Sequence, residues 1–107
     1  MLDTEKLSVT EKSILEKIKT VIDPEVEVNI VDLGLIYEVH HYEEEKKIHI
    51  VMTLSARGCP VGDTIIRHVE TVVKAFLPDY ETEVELTWEP QWTPEMITPE
   101  GKAFLNM

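Results

Sequence analysis

The chain has one cysteine, Cys59, in 107 residues, and that scarcity removes several functions at once. It rules out an internal disulfide, and one thiolate cannot by itself complete a structural zinc site or an iron–sulfur cluster. Basic residues are also scarce. Ten Lys and Arg stand against 21 Asp and Glu, a formal net charge of −11. Nucleic-acid phosphate and polyanionic ligands are repelled by such a total, and no basic cluster opposes it locally. No apolar run approaches the ~20 residues that a membrane span requires. The opening "MLDTEKLSVTEK" lacks the basic start and apolar core of a signal peptide, so a cytoplasmic location is expected. There is no phosphate loop, dinucleotide fingerprint or HExxH motif.

What remains is an ordinary globular composition, 43% hydrophobic and 29% charged, in a chain long enough for one modest core and too short for two. No repeat, low-complexity tract or linker interrupts it, so residues 1–107 are read as a single domain with its core over about 8–105. Ser8 and Glu11 have the spacing of a capping box. Ile14, Ile18, Val21 and Ile22 follow at helical spacing, which predicts a first helix over 9–22, stopped by Pro24. Leu35, Tyr37 and Val39 alternate with polar residues, as do Ile48, Ile50 and Met52. The "EEEK" run between them predicts a hairpin that turns at Glu44–Glu45 and pairs His40 with His49. A second apolar stripe (Ile65, Ile66, Val69, Val72, Val73, Phe76) predicts a helix over 61–76, closed by Pro78. "ETEVELTWE" alternates strictly, with Val84, Leu86 and Trp88 inward and Glu83, Glu85 and Thr87 outward, as a strand with one wet face does. Thr93-Pro94 and Thr98-Pro99 each have the form of an N-cap with proline at the first helical position. The order αββαβ with short C-terminal helical turns predicts an α+β fold, its helices packed on one face of a small mixed sheet. Glu38, Glu83 and Glu85 would lie on the other face, which makes the acidity mostly a solvated surface.

Cys59 lies in "TLSARGCPVGD", with Pro60 in the position of a first helical residue, and so at or beside the N-cap of the second helix. Free N–H groups and the helix dipole stabilise a thiolate at such a place. Arg57 would add to this if turned inward, while Gly58 and Gly62 leave room for another molecule to approach the backbone. The alternative is a packed cysteine that fills a loop, since cysteine behaves as a small hydrophobe. A metal at Cys59 would need further ligands. Asp23 and Glu25, in "IDPEVEV", are candidates, although Asp-Pro also serves a helix-ending turn for local reasons alone. The histidines point elsewhere. His40 and His41 face opposite sides of a strand, a surface His40–His49 pair does not make a specific metal site, and His68 is too far along its helix to pair with the thiol.

Four segments occur in order and at suitable distances: "DPE" at 23–25, "NIVDLGLIY" at 29–37, "MTLSARGCP" at 52–60 and "WTPEMI" at 92–97. Together they resemble the SufT/PaaD-like family of iron–sulfur (metal–sulfur) cluster assembly accessory proteins, over residues 8 to 105. The resemblance implies a small α+β domain that is not an enzyme and that assists maturation of iron–sulfur proteins. Its partners would be the assembly machinery and recipient apoproteins. Eukaryotic relatives sit in a cytosolic targeting complex, and the PaaD branch serves one oxygenase pathway. The resemblance makes Cys59, in the Gly58-Cys59-Pro60 motif, the functional thiol, with Asp23, Glu25, Thr53 and Ser55 in support. It implies no tightly bound cofactor, only iron or a cluster held transiently at Cys59. Some positions depart from the pattern. Ser55 stands where threonine is common, Arg57 where a small or apolar residue is, Glu27 where proline or glycine is frequent, and Gln91 replaces the second proline of a "PPWT" run. Trp92, with Thr93 beside it, is either a partner-binding aromatic or core cover. Packing of the terminal segment favours cover.

Two other functions would use the same residues differently. A thiol hydrolase or transferase with Asp23 or Glu25 as base would turn over a small thioester or amide. A carboxylate is a poor base for a thiol, however, and no oxyanion hole appears beyond a helix N-terminus. A pure interaction module would tolerate Cys59→Ser. Hairpin edges also leave open a homodimer.

Overall fold

The computed structural model describes residues 4–55 and 61–106. After a 3-10 turn at Thr4–Lys6 comes helix α1, Val9–Ile18. The expected capping box is present: Glu11 N–H donates to Ser8 Oγ at 3.1 Å and Ser8 N–H to Glu11 Oε1 at 3.0 Å. The other oxygen of Glu11 accepts the backbone N–H of His41 at 2.9 Å. One carboxylate therefore caps the helix and anchors it to the sheet.

The helix is shorter than its apolar spacing predicts. It ends at Lys19, with the Thr20 hydroxyl donating to the Lys17 carbonyl at 2.7 Å. Val21 and Ile22 lie outside it. Val21 is buried and Ile22 is exposed, and the chain continues into a two-stranded ribbon, β1 (Ile22–Asp23) and β2 (Val28–Asn29). The connecting turn puts Glu27 at φ 60°, the left-handed conformation that glycine adopts without strain. A preference for glycine at this position thus has a backbone cause.

The main sheet has the order β3–β4–β5, formed by Ile36–Tyr42, Lys47–Met52 and Glu81–Leu86. β3 and β4 form the expected hairpin, and His40 faces His49. Its loop closes with Lys46 N–H donating to the Glu43 carbonyl and Lys46 in a left-handed conformation. β5 runs parallel to β4, so the sheet is mixed. Helix α2, Gly62–Phe76, makes the crossover that a parallel pair requires. A register shift between Ile36 and Glu38 leaves Tyr37 as an extra residue on β3. This bulge explains why the neighbouring side chains Ile36 and Tyr37 are both buried.

Both longer helices cover one face of the sheet. Ile14 and Ile18 of α1, Val39 of β3, Ile48, Ile50 and Met52 of β4, and Ile65, Val69 and Val73 of α2 form the centre of the core. The opposite face carries Glu38, His40, Lys47, His49, Glu83 and Glu85, as the alternation requires. β5 is the exception to a clean inward stripe. It ends at Leu86, which remains 38% exposed, and Val84 is only partly covered because the strand forms the sheet edge.

The C-terminal segment has a 3-10 turn at Pro94–Met96 and helix α3, Pro99–Phe104, each started by the expected threonine. It returns to the loop after β2 through a dense set of bonds. Asp32 accepts from Asn29 Nδ2 at 2.7 Å and from Thr98 Oγ1 at 3.1 Å, while its carbonyl accepts Thr98 N–H at 2.8 Å. Trp92 Nε1–H donates to the Leu33 carbonyl at 2.7 Å. Gly34, at φ 81°, lies so close that an added Cβ would meet the Met96 carbonyl oxygen. No helix among the described residues is long and apolar enough to cross a membrane.

Candidate functional site

Asp23 is 5% exposed despite its charge. Its Oδ1 accepts the Glu25 backbone N–H at 2.9 Å, and its carbonyl accepts Glu27 N–H at 2.7 Å. The carboxylate thereby folds the Asp-Pro turn that joins β1 to β2, a local task for this residue type. Glu25 is exposed, so its carboxylate points to water from the same turn.

Thr53, the first residue past β4, is fully buried. Its Oγ1 lies 3.4 Å from the Leu54 carbonyl, a weak bond, and its hydroxyl also acts on the nearby Tyr37 phenol. Tyr37 O–H donates to the Pro90 carbonyl at 2.7 Å. Burial pushes the pKa of this phenol up, because ionised oxygen is poorly solvated there, and the Thr53 hydroxyl offsets part of that effect. Ser55, two residues on, is exposed.

These two groups of residues are linked through the backbone. Ile30 N–H donates to the Val21 carbonyl, Leu35 N–H to that of Ile30, and Thr53 N–H to that of Leu35. The ribbon bearing Asp23 and Glu25 is thus tied by three successive bonds to the exit of β4, where Thr53 and Ser55 lead toward the cysteine. Gly58, Cys59 and Pro60 lie outside the described residues. The helix that follows starts later than its proline suggests. Gly62 is its first residue and Val61 its N-cap, with no side-chain hydrogen bond at the cap.

Trp92 is half-buried against the core, its indole bonded to Leu33. Thr93 caps the 3-10 turn, and its hydroxyl bonds Glu95, holding that carboxyl below the usual range. Across the molecule, the open sheet face brings together three side chains that sequence reasoning kept apart. His49, Glu83 and Glu85 place an imidazole nitrogen and two carboxylates within 4.8 Å of one another. The alternation of β5 put both glutamates outward, yet their meeting with His49 required the parallel register of β5 on β4.

A mixed three-stranded sheet with a βαβ crossover, together with a buried aspartate turn, defines a class of small α+β domains. The chain belongs to the family described as iron–sulfur cluster assembly protein, whose model matches residues 11–86. It is 40% identical to the Fe-S protein maturation auxiliary factor SufT of Staphylococcus aureus over 87 residues, spanning 81% of this chain and 98% of that protein. It is 38% identical over 97 residues to a Fe-S protein maturation auxiliary factor of Porphyromonas gingivalis, covering 91% of both. Among solved structures, a domain of unknown function, DUF59, from Bacillus anthracis superposes with a TM-score of 0.87 at 32% identity, covering 98% of this chain and 99% of that one. The α+β fold and the family expected from the four motifs are therefore those the molecule has.

Proposed function

We propose that this chain is an accessory factor in iron–sulfur protein maturation, with Cys59 as its working thiol and iron or a cluster as transient cargo. The observation that carries this reading is the 40% identity to a maturation factor along nearly all of that protein's length. The fold is compatible with it. α2 begins at Gly62 with no side-chain cap, three positions after Cys59 in the sequence, and a thiolate near a helix start is favoured. A single protein thiolate leaves most coordination positions to other ligands, which lets cargo leave for a recipient. The buried Asp23 shapes the neighbouring turn, while the exposed Glu25 and Ser55 are available to a partner. The acidic surface suits docking on basic patches of assembly machinery and apoproteins, and not on nucleic acid.

The test is complementation. Cells lacking the protein receive either the wild-type chain or Cys59→Ser, and aconitase activity is measured per unit of aconitase protein. Wild type restores activity and Cys59→Ser does not, although both accumulate folded. Equal rescue by the two would remove the thiol from the function, and normal aconitase in the deletion strain would remove the general maturation role.

A further inference from the structure

The cluster on the open sheet face is separate from the bonds around Asp32 that hold the C-terminal segment. β4 is the central strand and β5 its parallel neighbour. His49 stands beside Glu83 in the register, and Glu85 follows one pleat further along the same face. His49 Nε2 lies 3.0 Å from Glu85 Oε1 and 3.8 Å from Glu83 Oε2. Nitrogen and oxygen ligands about 2.1 Å from a shared ion sit about 3.0 to 3.4 Å apart, depending on the angle at the metal. One contact is already at that spacing and the other is a small side-chain rotation away.

A hydrogen-bond reading leaves the cluster incomplete. A ring nitrogen carries at most one N–H, so Nε2 satisfies Glu85 and cannot fully serve Glu83 as well. The second carboxylate still approaches it. Lys47 explains the orientation: its Nζ holds Glu83 Oε1 at 2.7 Å, leaving Oε2 turned toward His49. In metal centres such an outer partner fixes a ligating carboxylate. The neighbouring His40 is engaged elsewhere, its Nε2 on Glu38 at 2.7 Å. His49 and Glu85 open onto a concavity of about 380 Å³, with Glu38 and Glu89 also on its wall, and Glu83 joins them from the neighbouring strand position.

We propose that His49, Glu83 and Glu85 form a binding site for a divalent first-row transition ion, distinct from Cys59. One imidazole and two carboxylates suit Zn²⁺, Co²⁺, Fe²⁺ or Mn²⁺. The set offers no soft sulfur for Cu⁺ and too few oxygens for Ca²⁺. Three protein ligands leave positions for water or for a ligand from a docked molecule, so the ion is exchangeable.

The experiment uses full-length Cys59→Ser protein without a histidine tag, so that neither thiol nor tag contributes. Co²⁺ is titrated in with visible absorption as readout, and Zn²⁺ is titrated in a calorimeter. One ion per chain binds, and Zn²⁺ raises the thermal midpoint. His49→Gln and Glu85→Gln weaken binding about 10-fold to 100-fold and abolish the shift in midpoint, whereas His40→Gln leaves both unchanged. All three positions lie on the solvent face, and midpoints without metal verify folding. Absence of saturable binding, or equal binding in parent and His49→Gln, overturns the site. Neither result bears on the complementation by Cys59.

Discussion

At Tyr37 a phenol is withdrawn from water and given two polar neighbours, the Pro90 carbonyl and the Thr53 hydroxyl. Burial raises its folded pKa above the ordinary value. The neutral phenol therefore contributes stability fully below about pH 10, and that contribution is lost as pH rises through the folded value. In an alkaline titration followed by tyrosinate absorbance, one of the three tyrosines ionises in a late step that Tyr37→Phe removes. The same substitution costs about 1 kcal/mol in denaturant unfolding near neutral pH. A titration curve unchanged by Tyr37→Phe would contradict this assignment. The sequence marked Tyr37 only as an inward residue of an alternating strand. Its partner Pro90 lies 53 positions away, and the bulge that buries it with Ile36 has no signature in the alternation. Asp23 and Glu25 were visible from the Asp-Pro pair, but the split into a buried turn-former and an exposed carboxylate appears only in three dimensions.

Among the elements, the loop after β2 and the C-terminal segment act as one unit, and Gly34 is its tightest point. Any side chain there must adopt φ 81° and displace the Met96 carbonyl. Gly34→Ala therefore loses about 2 kcal/mol or more, read as a lower denaturant midpoint. An unchanged midpoint would show that the segment can move away at no cost. Element type was legible wherever the period was long and locally terminated, as in the hairpin, where the acidic run fixes the pairing of His40 with His49. It failed at residues 21 and 22. An apolar pair at helical spacing also fits the start of a ribbon, and the choice was made by pairing of Ile22 with Asn29, a contact that periodicity does not contain. The parallel register of β5 was hidden for the same reason, and with it the gathering of His49, Glu83 and Glu85.

For the whole molecule the dominant quantity is the net charge of −11. Exposed carboxylates repel one another across the compact state, and salt screens them over a length of about 30 Å at 0.01 M and about 8 Å at 0.15 M. The thermal midpoint consequently rises with sodium chloride through that range. The exposed Lys47–Glu83 pair weakens in the same range, but a single surface pair is worth little. A midpoint that falls with salt would mean that attractive pairs outweigh the repulsion. The lock between residues 29–34 and 92–101 has a further consequence, in time. Its bonds join positions 59 and 66 apart, Leu33 with Trp92 and Asp32 with Thr98. A chain made from its N-terminus completes β1 to β5 before Trp92 and Thr98 exist. Synthesis interrupted after Leu86 would yield the whole sheet and both longer helices, yet would leave the Leu33 carbonyl and the Asp32 carboxylate without these distant partners. Folding of this sheet is thus sealed by a segment translated after every strand that it holds in place.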